Sequence, residues 1–297
     1  MKQTEQKKIE VWADWHFLKQ AQQVGTLICS EVRGKEVFSF EYDSAWLACP
    51  YCFQLDPSLK LSLGPQFVAA DATNFGVFLD SSPDRWGRTL IQKRELLLSK
   101  KEKRNSRRLG ELDYLLGVYD GHRMGGLRFK FPGGSFLSEE TQHAAPSWAR
   151  LRELEAISLK FEEKNSENNP HYSEWLNVLF APGSSLGGVR PKASVVDSKN
   201  NLWIAKFSSQ NDEWDVGAWE FILHELAKKC GLQVPETQVK KLGGKHHTLI
   251  TRRFDRTQNQ KRIHFASAMT LLERKDGDDA STGASYLELV NALIQQG

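Results

Sequence analysis

No stretch of the 297 residues approaches the roughly 18 consecutive apolar residues of a membrane-spanning helix. The opening MKQTEQKKIE lacks the apolar core of a secretory signal, so the cytoplasm is the expected compartment, with no membrane partner. Cysteine is scarce, four in the chain, which excludes a disulfide-stapled scaffold. Cys49 and Cys52 do form a C-x-x-C pair. Thiol–disulfide chemistry, however, needs its first thiol at the start of a helix, and the FQLDPSLKLSLGP that follows is broken by two prolines and a glycine. Cys29 and Cys230 lie too far away to complete a zinc site, and His16, His122, His264 and the His246-His247 pair have no metal-ligand spacing. There is no repeat of fixed period and no low-complexity tract. An excess of one charge is also missing: 40 Lys and Arg face 37 Asp and Glu, a formal net charge of +3. One basic run, 92 to 108, carries eight Lys or Arg against two Glu, but it has no interleaved aromatics and reads as a solvated helix end and loop.

What is present is a glycine-rich decapeptide, GSSLGGVRPK, at 183 to 192. Without side chains in the way, backbone N–H groups can approach an anion closely, and a nearby lysine adds charge. Gly183 and Gly188 have the Walker separation, but Val189 and Arg190 stand where Lys and Ser or Thr are required. The dinucleotide fingerprint fails too, because Gly187 and Gly188 are adjacent and no helix pattern follows. A hairpin follows instead: ASVV (193 to 196), the turn DSKNN, then LWIAKF (202 to 207), in which Lys206 is the lone charge. A glycine-rich loop between strands and then an isolated strand lysine is the layout of a protein-kinase nucleotide lobe.

Next, Ala218, Trp219, Ile222, Leu223, Leu226, Ala227 and Cys230 recur with helical period, closed by Gly231 and Pro235, so a helix is expected over 213 to 230. Glu220 lies at the edge of that stripe, where it could turn to the sheet and pair with Lys206. Glu213 and Glu225 are the competing acids. Two more strands are expected, ETQVKKL (236 to 242) and HTLITRRFDR (247 to 256), parted by Gly243 and Gly244. In a nucleotide lobe the chain leaving the last strand offers its backbone to the adenine edge.

These residues resemble the HipA family of bacterial serine/threonine kinases, the toxin components of toxin–antitoxin pairs. The matching stretches are VGTLICSEVRGKEVFSFEYDSAWLA (24 to 48), SSPDRWGRTLIQKRE (81 to 95), DYLLGVYDGHRMGGLRF (113 to 129), GSSLGGVRPKASV (183 to 195), LWIAKFSS (202 to 209), AWEFILHELAKKCGLQVPE (218 to 236) and ITRRFDR (250 to 256). They run in the family's order. The resemblance implies an α+β fold, a small β-rich N-terminal module packed beside a kinase-like nucleotide lobe with antiparallel sheet and flanking helices. It implies ATP and Mg as cofactors, with Ser185, Gly187, Gly188 and Lys192 in the phosphate-covering loop and Lys206 on the phosphates, Glu220 its partner. It also implies an adenine hinge at Arg252 to Phe254, with Asp255 reaching the ribose. A loop serine is autophosphorylated in the family, which ejects the loop and inactivates the kinase; Ser185 matches that position and Ser184 is its neighbour. A dianionic phosphate there would compete with those of the nucleotide.

One expected part is missing. The family's D-x-H-x-x-N catalytic loop and a later metal-binding aspartate lie downstream of the hinge, whereas after Phe254 no His or Asn stands at catalytic-loop spacing from Asp255, Asp276, Asp278 or Asp279. No catalytic residue is therefore assigned in this chain. A polar loop at 276 to 283 leads instead to an amphipathic YLELVNALIQQ (286 to 296). Three arrangements fit: a truncation, one half of a split kinase completed by a catalytic-lobe polypeptide, or a remnant that keeps the fold as a non-catalytic partner-binding module. The resemblance implies a HipB-like antitoxin and a protein substrate as partners, with DNA reached only through the antitoxin.

Two domains are expected, 1–110 and 111–297. In the first, KIEVWAD (8 to 14), VGTLICSE (24 to 31) and EVFSFEYD (36 to 43) alternate as strands of a small antiparallel sheet. A helix should then open at Ser82, as N-cap, with Pro83 in its first turn and Trp86, Leu90 and Leu97 on one apolar face. The polar KFEEKNSENNPHYSE (160 to 174) reads as an exposed linker.

Overall fold

The computed structural model describes residues 6–137, 145–183 and 188–296. Strands β1 (Gln6–Ala13), β2 (Gln22–Val32) and β3 (Lys35–Tyr42) form an antiparallel meander. β4 (Gln66–Phe67) and β5 (Leu127–Lys130) complete a sheet ordered β4-β3-β2-β1-β5. Alternation explains its inner face: Ile9, Val11 and Ala13 are buried while Glu10 and Trp12 between them are not. The β2–β3 turn is the dipeptide Arg33-Gly34, both at positive φ (51° and 76°), the geometry whose twist suits a tight hairpin. Short helices α1 (Ser44–Leu47), α2 (Gly76–Asp80) and α4 (Glu111–Leu116) cover this sheet, and Val77, Phe78, Leu112 and Leu115 join its core.

Between them α3 (Arg85–Lys101) belongs to a second core. Its N-cap is Asp84, which accepts from the Gly87 N–H at 2.9 Å, not Ser82 as expected; the Ser82 hydroxyl is spent on the Phe78 carbonyl at 2.8 Å. Trp86 and Leu90 pack, as their spacing predicts, with α5 (Leu151–Glu162), α6 (Tyr172–Gly183) and a second antiparallel sheet. That sheet holds β6 (Lys192–Val196), β7 (Leu202–Lys206), β8 (Thr237–Lys240) and β9 (Thr248–Arg252) in the order β6-β7-β9-β8. The two cores therefore do not divide at residue 110: Trp86 and Leu90 lie in the second, and Leu112, Leu115, Leu127 and Phe129 in the first.

The stretch 160–174 is not a linker. It closes α5, passes through one 3₁₀ turn (Ser166–Asn168) and opens α6. Phe161 and Tyr172, both buried, stack at 5.2 Å with ring planes 5° apart, and Ser166 is tied by its hydroxyl to the Phe161 carbonyl at 2.9 Å. Its many polar residues line the outside of a helix–helix corner. The basic run resolves as the end of α3 followed by a return, in which Arg104 binds Glu95 and Glu102, and Arg107 binds Asp113.

The remaining helices are α7 (Val216–Lys229), α8 (Ala268–Leu271) and α9 (Tyr286–Gln296). The architecture is thus mixed, two antiparallel sheets with helices, and no helix among the described residues is long and apolar enough to cross a membrane. Two polar ties hold the second sheet in place. The buried Glu155 of α5 accepts from the Thr248 hydroxyl at 2.7 Å and the Gly244 N–H at 2.9 Å. The segment after β9 grips the turn between α4 and β5: Arg253 donates to the carbonyls of His122 (2.6 Å) and Arg123 (3.1 Å), and Arg256 to that of Arg123 (2.9 Å).

Candidate functional site

The turn between β6 and β7 is organised by Asp197, whose carboxylate accepts from the N–H groups of Lys199 and Asn201, the Asn201 amide and the Trp203 indole, with Asn200 at φ 61°. This fixes a register in which Val195 faces Trp203, Ala193 faces Ala205 and Lys192 faces Lys206. Val195, Trp203, Ala193 and Ala205 enter the second core. On the strands, Ser194, Ile204, Lys192 and Lys206 alternate with those core residues and so occupy the opposite face, where Thr251 and Leu249 of β9 continue the rows.

α7 lies over β8 and β9. It can approach because Gly217 has no side chain: a Cβ there would meet the His247 carbonyl oxygen at 2.3 Å. Asp215 caps the helix through the Ala218 N–H at 3.1 Å and also binds the His247 imidazole at 2.5 Å. That docking turns Glu220 to the sheet, where it forms an ion pair with Lys206. Glu213 and Glu225 make no such contact. The strand lysine and helix glutamate read from the sequence are thereby brought together, each about a third exposed (31% and 30%).

The expected apolar stripe, by contrast, does not face the sheet. Trp219, Ile222, Leu223 and Leu226 are exposed, while Gly217, Glu220, Phe221 and His224 lie on the inner side. The reason is the close seat at Gly217, which fixes the helix rotation so that positions 217, 220, 221 and 224 point inward. On α9, Tyr286, Leu287, Leu293 and Ile294 are likewise exposed.

Lys192 stands in the first position of β6 rather than in the loop, and it is buried. Its ammonium lies 2.7 Å from Asp84, with the two side chains 2% and 12% exposed. Burial pulls the Lys192 ammonium down from its ordinary range and pushes the Asp84 carboxyl up, while each charge works against this in its partner. Of the remaining loop residues, Gly188 has φ 103°, which glycine tolerates, and Arg190 pairs through both terminal nitrogens with Asp212. Ser184, Ser185 and Gly187 lie outside the described residues.

Arg252, Arg253 and Phe254, the expected hinge, form one wall of an open groove of about 290 Å³ whose other wall is the 233–236 segment. The Arg252 N–H donates to the Glu236 carbonyl at 2.8 Å, and Phe254 is 56% exposed. Asp255 is engaged inside the protein, not turned outward to a ribose as the resemblance implied. It is 1% exposed, and its oxygens already accept from Arg253 (2.5 and 2.7 Å), Arg256 (2.6 Å) and the Gly125 N–H (2.8 Å). Burial would raise its carboxyl, but the two guanidinium groups outweigh that and hold it at about 2.

Sequence reading missed Asp84, 108 positions before the lysine it binds. The only local signal was Ser-Pro-Asp before an apolar face, which marks a helix start and says nothing about the lysine. Cys49 and Cys52 follow α1, and burial raises the Cys52 thiol, the reverse of a reactive thiolate. No group of three or more His, Cys, Asp or Glu among the described residues is placed to hold a metal ion.

No curated protein matches the chain. Residues 184–297, which carry the second sheet, the Lys206–Glu220 pair and the helices that follow, match the family model of the HipA-like C-terminal domain.

Proposed function

We propose that the chain forms the nucleotide-binding part of a HipA-like serine/threonine kinase of toxin–antitoxin type and binds ATP on the α7 side of its second sheet. The observation that carries this reading is the Lys206–Glu220 ion pair between β7 and α7, the arrangement that holds a strand lysine ready for nucleotide phosphates in protein kinases. The groove at Arg252 to Phe254 supplies a second element, backbone and an exposed phenylalanine beside which a flat base can lie. The HipA-like match over 184–297 supports the same assignment. Lys206 would hold the triphosphate, and Mg²⁺ would accompany the phosphates. Bound ATP supplies the phosphoryl group, and this chain's part is to bind and orient it.

No D-x-H-x-x-N segment follows the hinge in this sequence. Positioning and metal clamping supply nearly all the catalysis in phosphoryl transfer, so the part of these residues is to bind and orient the nucleotide, and the catalytic groups come from outside them. A protein substrate and a HipB-like antitoxin complete the proposed system, with autophosphorylation at Ser185 or Ser184 as its control. A second reading, a non-catalytic partner-binding module, is favoured by one observation: the exposed apolar faces of α7 and α9, with Trp219 at 59% and Leu223 at 62%.

Isothermal titration of the folded chain with Mg-ATP is the test. Saturable binding that is lost in Lys206→Met supports the kinase reading. Absence of binding by a chain with a cooperative thermal melt overturns it and leaves the partner-binding module.

A further inference from the structure

The sheet register places two lysines directly opposite one another, Lys192 on β6 and Lys206 on β7. Like charges facing across a strand pair repel, and burial of one of them adds a desolvation cost. The fold answers with two carboxylates from two different layers, Glu220 from α7 for Lys206 and Asp84 from the start of α3 for Lys192.

Asp84 is itself fixed. One carboxylate oxygen caps α3 through the Gly87 N–H at 2.9 Å, while the other binds the Lys192 ammonium at 2.7 Å. The next residue in that turn after Arg85 makes two further contacts with the same strand end. The Trp86 indole N–H donates to the Lys192 carbonyl at 3.1 Å, and its backbone N–H to the Gly188 carbonyl at 3.4 Å. Gly188 in turn lies over the lysine, for a Cβ on it would stand 3.1 Å from the Lys192 Nζ. Removing the Asp84 charge leaves the desolvation of the buried Lys192 ammonium less compensated, which favours its deprotonation or displacement.

We propose that Asp84 is a positioning residue for the phosphate end of the site, holding the buried Lys192 ammonium at the strand position that faces Lys206 so that its charge adds to that of Lys206 at one anion subsite. The inference rests on the nucleotide reading of Lys206. Asp84 touches no ligand; it acts through Lys192. The ligand class that gains from a second cation is the nucleoside polyphosphate, whereas an uncharged nucleoside gains nothing.

The test compares ATP and adenosine binding by titration at fixed ionic strength, using the full chain as wild type, Asp84→Asn, Lys192→Met and the double variant. Asparagine retains an oxygen for the Gly87 N–H but removes the charge. The expected result is ATP affinity lower by about tenfold in each single variant, the scale of one charge-assisted contact. Adenosine affinity should be unchanged, and the double variant no weaker than either single one, since the pair acts as a unit. An equal loss for ATP and adenosine would show a merely structural role and overturn the inference, as would an unchanged ATP affinity. Should Asp84→Asn fail to give a cooperative melt, Lys192→Met alone decides by the same comparison. If the wild type binds adenosine and ATP equally, the inference falls while the groove remains a nucleoside site; if it binds neither, the nucleotide reading falls first and takes the inference with it.

Discussion

Nη2 of Arg253 and Oδ2 of Asp255, two positions apart in the chain, meet at 2.5 Å with neither side chain more than 1% exposed. Around them the guanidinium of Arg253 reaches the His122 and Arg123 carbonyls, and the Asp255 carboxylate takes the Gly125 N–H. Where the resemblance implied a ligand for ribose, the molecule has a rivet between the 122–125 turn and the segment that follows β9.

Asp255→Asn should therefore destabilise strongly without touching a nucleotide. It leaves Arg253 and Arg256 buried with an uncompensated charge, a change that costs about 3–5 kcal/mol. Urea unfolding at neutral pH measures it. A loss below about 1 kcal/mol would mean that the cluster contributes little. The wild-type carboxyl is held at about 2, below its unfolded value of 3.8, so its contribution is complete above 3.8 and disappears as pH falls from there to about 2.

Lys206→Met and Glu220→Gln should separate stability from binding. The pair is about a third exposed on both sides, so solvent screening limits its effect on unfolding to under about 1 kcal/mol. ATP affinity should nonetheless fall at least about tenfold for Lys206→Met, with a smaller fall for Glu220→Gln, in which the lysine persists but is no longer held. Equal affinities in wild type and Lys206→Met would remove the lysine from the site.

Acid should weaken the fold through His264. Its ring packs against Trp15 at 5.3 Å and Phe53 at 5.2 Å, and burial lowers its imidazole to about 4. The sign follows from the unfolded chain, where the imidazole titrates near 6.5 and binds a proton that the folded state refuses. The full stability is present above 6.5 and is lost progressively as pH falls toward 4. Thermal melts of wild type and His264→Phe across that window should diverge, the variant falling less steeply.

Alkylation at mild pH should mark Cys230 first. It is exposed, whereas Cys29 is buried with its thiol pushed up to about 12, and Cys52 is raised by burial as well. Peptide mapping after a short iodoacetamide pulse reads the order, and Cys52 labelled ahead of Cys230 would reopen the C-x-x-C pair as a reactive centre.

Local features were legible in the sequence. The period-two runs gave β1 to β3, the Asp-Ser-Lys-Asn-Asn turn gave the β6–β7 hairpin, and the single charge among Leu202, Trp203, Ile204 and Ala205 marked Lys206. Helix rotation was not legible, because hydrophobic period assumes that the apolar stripe faces the core; one glycine contact at Gly217 overrode it in α7. Composition also misled at 160–174, where the buried Phe161, Ser166 and Tyr172 were outnumbered by polar neighbours on the outer side of a corner. The Lys192–Asp84 and Glu155–Thr248 links join residues 108 and 93 apart, a juxtaposition that no spacing rule encodes.

The crossing of α3 into the second core, while α4 and β5 return to the first, bears on how such chains can be recombined. A gene fusion that exchanged the first 110 residues for a foreign segment would carry off Trp86 and Leu90, opening a hole against α5 and α6, and would strand Leu112 and Leu115 without their sheet. The interlaced halves can be exchanged only as a unit.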